Sequence, residues 1–191
     1  MKVFEILVES YKPAMKLVLM DLIKLLESNH IEYIVGGAQA LTLYSKRPRM
    51  TVDIDIFADA QEKQKLDKLM VANFNWIDNR RYHSKFERAG VEIDILYAGS
   101  DAELFAIKHK KRSSILDVQL YTANPEALLW LYVVSDKDQN TVDGIEVIRG
   151  VKDLDLELVR AKVKRYDPKL VDKLELMIEK GSKPEAQRKR E

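Results

Sequence analysis

The chain has 191 residues, no cysteine and a formal net charge of +1. Disulfide frameworks and thiolate metal centres are therefore excluded, and bulk charge does not point to nucleic acid. The 46% hydrophobic share suffices for one packed domain, or one domain with a helical appendage, and no apolar stretch reaches the roughly 18 residues of a membrane span.

The opening Met1-Lys2-Val3-Phe4-Glu5 carries an acid and no small-residue cleavage site, unlike a signal peptide. Together with the absent cysteines, this sets the expected location as cytoplasmic. Ala14 to Glu27 recurs with helical period through Leu17, Val18, Leu22, Ile23, Leu25 and Leu26. Ile31 to Val35 is a short apolar run ending on Gly36-Gly37, which predicts a buried strand and a sharp turn into a helix over Ala38 to Tyr44. Val52 to Ala58 alternates aliphatic and acidic residues at period two, so it predicts a strand with two unlike faces.

Asp59 with Glu62 predicts a capping pair for a helix to about Ala72. Arg81–Glu87 and Val91–Tyr97, flanking Arg88-Ala89-Gly90, predict a hairpin, and Ser114 to Thr122 one further strand. Beyond that the character changes. Asn124-Pro125-Glu126 has the cap, first-turn proline and acid of a helix start. Two more helices are predicted at Asp155–Tyr166 and Asp167–Lys180, the last stopped by Gly181. The expected fold is α/β (α+β), with residues 1–122 forming the core, 123–181 a helical region and 182–191 a flexible tail.

The chemistry gathers on the strands. Asp53 and Asp55 are two apart, so both carboxylates project from one strand face while Ile54 and Ile56 turn to the core. Like charges that close repel, and hard divalent cations relieve the conflict because oxygen donors suit them. Aspartate is poor in strands, which weakens the alternative of a merely solvated face. Glu92-Ile93-Asp94-Ile95-Leu96 repeats the pattern and offers a third carboxylate, Asp94, with Glu92 in reserve. Gly36-Gly37 leaves room for phosphate oxygens to approach backbone N–H groups; alone, it also fits an ordinary strand-to-helix turn.

In combination, Gly36-Gly37-Ala38-Gln39-Ala40-Leu41, Arg49-Met50-Thr51-Val52-Asp53-Ile54-Asp55 and Val91-Glu92-Ile93-Asp94 resemble the polymerase-β-like nucleotidyltransferase superfamily. The form of these motifs looks most like the branch of AbiEii-type toxins and related proteins. The resemblance implies a mixed sheet flanked by helices, with a nucleoside triphosphate and Mg2+ held on it. It implies that Gly36 and Gly37 contact the triphosphate, that Asp53 and Asp55 bind the metal, and that Asp94 binds it and helps activate an acceptor hydroxyl. The acceptor is left open among RNA, protein and small molecule, and the toxin branch implies an antitoxin partner.

One departure stands out: the branch's usual helix lysine falls near Tyr132, and Lys137 is the nearest substitute for nucleotide binding. A non-catalytic nucleotide-binding module and a toxin acting on tRNA or a protein therefore remain alternatives. Lys46-Arg47-Pro48-Arg49 and Lys108-His109-Lys110-Lys111-Arg112 are candidate contacts for anions or solvated runs. His83 is a candidate base or a structural residue. Trp76, Tyr82 and Tyr97 are candidates for base stacking or for core packing.

Overall fold

The computed structural model describes the backbone of residues 2–47, 49 and 51–183, with side chains from Pro13 onward. In chain order the elements are α1 (Lys2–Ser28), β1 (Tyr33–Val35), α2 (Gly37–Leu41), β2 (Asp53–Asp59), α3 (Lys63–Asn73), β3 (Asn75–Arg80), β4 (His83–Arg88) and β5 (Val91–Ala98). They continue as α4 (Asp101–Lys108), β6 (Lys110–Ile115), β7 (Val118–Ala123), α5 (Pro125–Val134), α6 (Asp138–Gly150), α7 (Leu156–Tyr166) and α8 (Val171–Ser182). The strands form one sheet in the order β3-β4-β5-β2-β1-β7-β6. β2 pairs parallel with β5 and β1 with β7, while the other neighbours are antiparallel, so the sheet is mixed as expected.

Helices cover both faces. Ile54, Ile56, Ile93 and Ile95 pack with Leu19, Leu22 and Leu26 of α1 and with Leu66 and Met70 of α3. On the other face Phe57 and Ala98 meet α4 and α5. Helix α5 is buried from Ala127 to Val133, as a helix apolar on every side must be. It starts where the sequence predicts: Pro125 occupies the first turn, and Asn124 accepts a bond from the Ala127 N–H at 2.9 Å. At its far end the Lys173 ammonium bonds the carbonyl of Ser135.

Several elements depart from the sequence reading. The single strand predicted at Ser114–Thr122 is a hairpin, β6 to β7, turning on Leu116 and Asp117 at φ +50° and +61°. Neither residue is the glycine or asparagine that such a two-residue turn favours, so the local signal was missing. Asp59 caps a short 3₁₀ turn at Ala60–Glu62 by accepting from the Gln61 N–H, and Glu62 pairs with Lys65 at 3.5 Å, so no Asp59–Glu62 capping box forms. Gly181 does not stop the last helix. It lies inside α8, where a Cβ would overlap Ile148, and it is buried for that contact. Strand β3 and helices α4 and α6 had no counterpart in the sequence reading. The expected tail, 182–191, lies from residue 184 outside the described residues.

Candidate active site

Strands β2 and β5 bring the acids together because they run parallel in a register that makes Asp55 and Asp94 direct Cα partners. Asp53, Asp55 and Phe57 share the face of β2 opposite Ile54, Ile56 and Ala58. Asp94 and Leu96 share the corresponding face of β5. Ligand oxygens of Asp53, Asp55 and Asp94 all lie within 4.8 Å of one another. Glu92 does not join them; it is exposed and salt-bridged to Lys85 at 2.8 Å.

Burial pushes the Asp55 carboxyl up to about 6, and the charges of Asp53 and Asp94 add to the effect. Lys137 and Arg49 act in the opposite direction. Three carboxylates this close, one of them partly desolvated, form an electrostatic conflict that a divalent cation resolves. The donor set is all oxygen, which fits Mg2+.

Asp53 and Asp94 are also held from outside the trio. The Thr51 hydroxyl donates to Asp53. His83 Nε2 lies 2.8 Å from Asp94 Oδ1, and Lys85 Nζ approaches the same oxygen at 3.6 Å. His83 thus sits one contact behind the third carboxylate. The sequence suggested a base or a structural residue there, but only strand pairing could reveal its partner.

The glycines meet the acids directly. Gly37 adopts φ +52°, and a Cβ placed on it would overlap Oδ2 of Asp55. Its neighbour Gly36 faces the Phe57 ring, where a Cβ would again collide, and its N–H bonds the Asp55 carbonyl at 2.9 Å. Both positions exclude side chains because β2 passes so close. Gly37 lines the cleft above the acids.

That cleft encloses about 410 Å³ between the sheet and the helical half. Leu96, Leu128, Leu131 and Val134 form an apolar wall, with Lys137, Arg49 and Tyr166 among the polar and aromatic residues of the lining. Tyr132 is buried, and its hydroxyl donates to the Gly37 carbonyl at 2.8 Å. Burial raises its phenol well above the usual range, so it stays protonated. Lys137 precedes α6, is exposed, and makes no salt bridge among the described residues.

The other basic and aromatic candidates lie elsewhere. Lys110 and Arg112 of β6 pair with Glu32 and Glu27, and both lie over the Tyr121 ring. Tyr97 is core, whereas Trp76 and Tyr82 are exposed in and beside edge strand β3, away from the cleft lining. No described helix is long and apolar enough to cross a membrane.

No protein-family model matches the chain, and no curated protein matches it. Solved structures do. An antigenic nucleotidyltransferase-like protein from Paracoccidioides brasiliensis superposes with a TM-score of 0.51 at 20% identity, over 84% of this chain and 91% of that one. ANT(2")-Ia, in complex with adenylyl-2"-tobramycin, superposes with a TM-score of 0.50 at 16% identity, over 93% of this chain and 98% of that one. At these identities the likeness concerns the fold, which is nucleotidyltransferase-like.

Proposed function

We propose that the protein is a magnesium-dependent nucleotidyltransferase that moves a nucleoside monophosphate from a nucleoside triphosphate to a hydroxyl acceptor. The observation that carries this reading is the convergence of Asp53, Asp55 and Asp94 within 4.8 Å, on the floor of a cleft between sheet and helices. The fold likeness and the Gly36-Gly37 turn beside Asp55 support it.

In this reading the three aspartates hold Mg2+, which when bound supplies positive charge against the triphosphate. Arg49 and Lys137 add cationic charge from the cleft lining, and Gly37 keeps the floor open above Asp55. The acceptor oxygen attacks the α-phosphorus, one P–O bond forms, and the bond to the β-phosphate breaks to release pyrophosphate. Asp94, steadied by His83, receives the hydroxyl proton. Most of the rate then comes from positioning and charge complementarity. Residues 1–122 supply the reacting face and 123–181 the wall that closes it; Gly36 stays in the proposal as support for the turn.

One observation favours a second reading, a non-catalytic nucleotide-binding module. Tyr132 stands where the resemblance places a lysine, and its hydroxyl is committed to Gly37. The finer toxin-like assignment adds growth inhibition on expression, relieved by an antitoxin.

The test incubates the protein with each labelled triphosphate, Mg2+, and pools of RNA, protein and small molecules. Label in one pool, with pyrophosphate release abolished by Asp53→Asn, is the expected result. Nucleotide binding without release in any pool would select the module instead.

A further inference from the structure

Arg49 reaches the cleft from the segment between α2 and β2, and the contact that holds it comes from the helical half of the chain. Its Nε lies 3.1 and 3.3 Å from the two carboxylate oxygens of Asp143 on α6. Gln139, one helical turn earlier, donates to the same carboxylate at 2.9 Å. Asp143 is only 2% exposed, in contrast to the guanidinium it binds. A carboxylate this buried is costly unless it is paired and hydrogen-bonded, so the arrangement is built rather than incidental.

The direction of the pairing matters. The bonds to Asp143 use Nε, so among the described residues the outer Nη1–Nη2 edge of the fork has no protein partner. Arg49 lines the same cleft as Asp55, and its charge acts on both Asp55 and Tyr132. A guanidinium can hold a carboxylate with one edge and offer another to phosphate oxygens, which a lysine ammonium cannot do with fixed geometry.

We infer that Asp143 is a positioning residue that clamps the Nε side of Arg49, so that its Nη edge is presented, already oriented, to the phosphates of a triphosphate seated over Asp55. The inference rests on reading the cleft as a triphosphate site. It goes beyond that reading by assigning the anion contact to Arg49 and its alignment to a residue on another element. Ordering the side chain before the ligand arrives lowers the entropic cost of binding. The clamp also joins the two halves of the chain beside a second contact, Ser45 Oγ to Glu146 at 3.3 Å.

The experiment titrates inorganic tripolyphosphate with Mg2+ into the full chain by calorimetry, for wild type, Arg49→Gln, Arg49→Lys, Asp143→Asn and the Arg49→Gln/Asp143→Asn pair. Circular dichroism confirms the fold of each, and Arg49→Lys and Asp143→Asn serve as the conservative variants if Arg49→Gln melts early. Each single variant is expected to weaken binding about tenfold, and the double variant to bind no more weakly than Arg49→Gln alone, because Asp143 acts through Arg49. An Asp143→Asn affinity within twofold of wild type would overturn the positioning role, as would losses that multiply in the double variant. The proposed activity is judged separately by label transfer. Arg49-dependent tripolyphosphate binding without transfer would sink the catalytic reading and keep the clamp. Transfer by a wild type that binds no tripolyphosphate would sink the clamp alone.

Discussion

The Tyr132 hydroxyl donates to the main-chain carbonyl of Gly37 at 2.8 Å, so α5 pins the turn on which Asp55 rests. Where the resemblance places a cation there is a neutral, buried donor serving the backbone. Tyr132→Phe removes the bond and leaves that carbonyl without it, at a cost of about 1–2 kcal/mol. Thermal melts should show a drop of roughly 2–8 °C, and Mg2+ affinity should fall with the loosened turn. A melt matching wild type would show that the bond carries no stability.

Asp55 yields a prediction with a definite sign. Its carboxyl is raised to about 6, first by burial and then by Asp53 and Asp94, with Lys137 and Arg49 opposing and His83 and Lys85 lying beyond Asp94. A raised carboxyl binds its proton more tightly in the folded than in the unfolded chain. Its contribution to stability is therefore present at low pH and lost as pH rises through about 6. Asp55→Asn should make the metal-free protein more stable above that pH, by up to about 3 kcal/mol, with the advantage vanishing near pH ~4. Added Mg2+ should stabilise wild type and leave the variant unchanged. Melting curves across pH, with and without the metal, check both; a variant less stable than metal-free wild type at pH ~8 would contradict the electrostatic account.

Gly37→Ala tests the close approach of backbone and acid. The added Cβ would overlap Oδ2 of Asp55, and φ +52° is strained for any side chain. A destabilisation of about 1–3 kcal/mol is expected, together with loss of Mg2+ binding because the carboxylate must move. Denaturant unfolding and metal titration measure the two effects independently. Retained metal affinity in the folded variant would mean that the glycine makes a turn and nothing more.

On the opposite face of the sheet, Asp67 has the reverse pH dependence. Burial alone would raise its carboxyl, but bonds from Lys63 at 2.8 Å, Tyr97, Ser84 at 2.9 Å and Asn79 at 3.2 Å outweigh it and hold the carboxyl below the usual range. Its stabilisation is present above the ordinary aspartate range and is lost as pH falls below it. Asp67→Asn, which keeps the shape but removes the charge paired with Lys63, should cost about 2–3 kcal/mol at neutral pH and progressively less as pH falls to ~2. Urea unfolding at the two pH values distinguishes this from a uniform packing defect, which would cost the same at both.

Much of the site was legible in the chain because it depends on local periodicity. The alternation in Val52–Ala58 and in Glu92–Leu96 places acids on one face and isoleucines on the other whatever the fold, since the side-chain period of a strand is two. Gly36-Gly37 after an apolar run marks a turn by composition alone, and Asn124-Pro125 marks the start of α5 by cap chemistry. The start of α4 carried the same kind of signal in the Ser100–Glu103 capping box, which could have revealed that helix. Edge strand β3 carried none: it is largely exposed, and its pairing with β4 is bulged between Trp76 and Asp78, so no alternation survives.

The sequence by itself determined which residues share a strand face or a turn, because carboxylate spacing, glycine placement and strand period are properties of a few neighbouring residues. Tertiary structure decided what each of them touches. The parallel register of β2 and β5 sets Asp94 beside Asp55, and the fold of β4 brings His83 to Asp94. The packing of α5 on the sheet, and of α6 on α5 and α2, carries Tyr132 to Gly37 and Asp143 to Arg49, across 95 and 94 positions of the chain. No local pattern encodes such distances: the pairing follows from how helices bury their apolar faces on the sheet and on one another, a property of the whole core rather than of any segment.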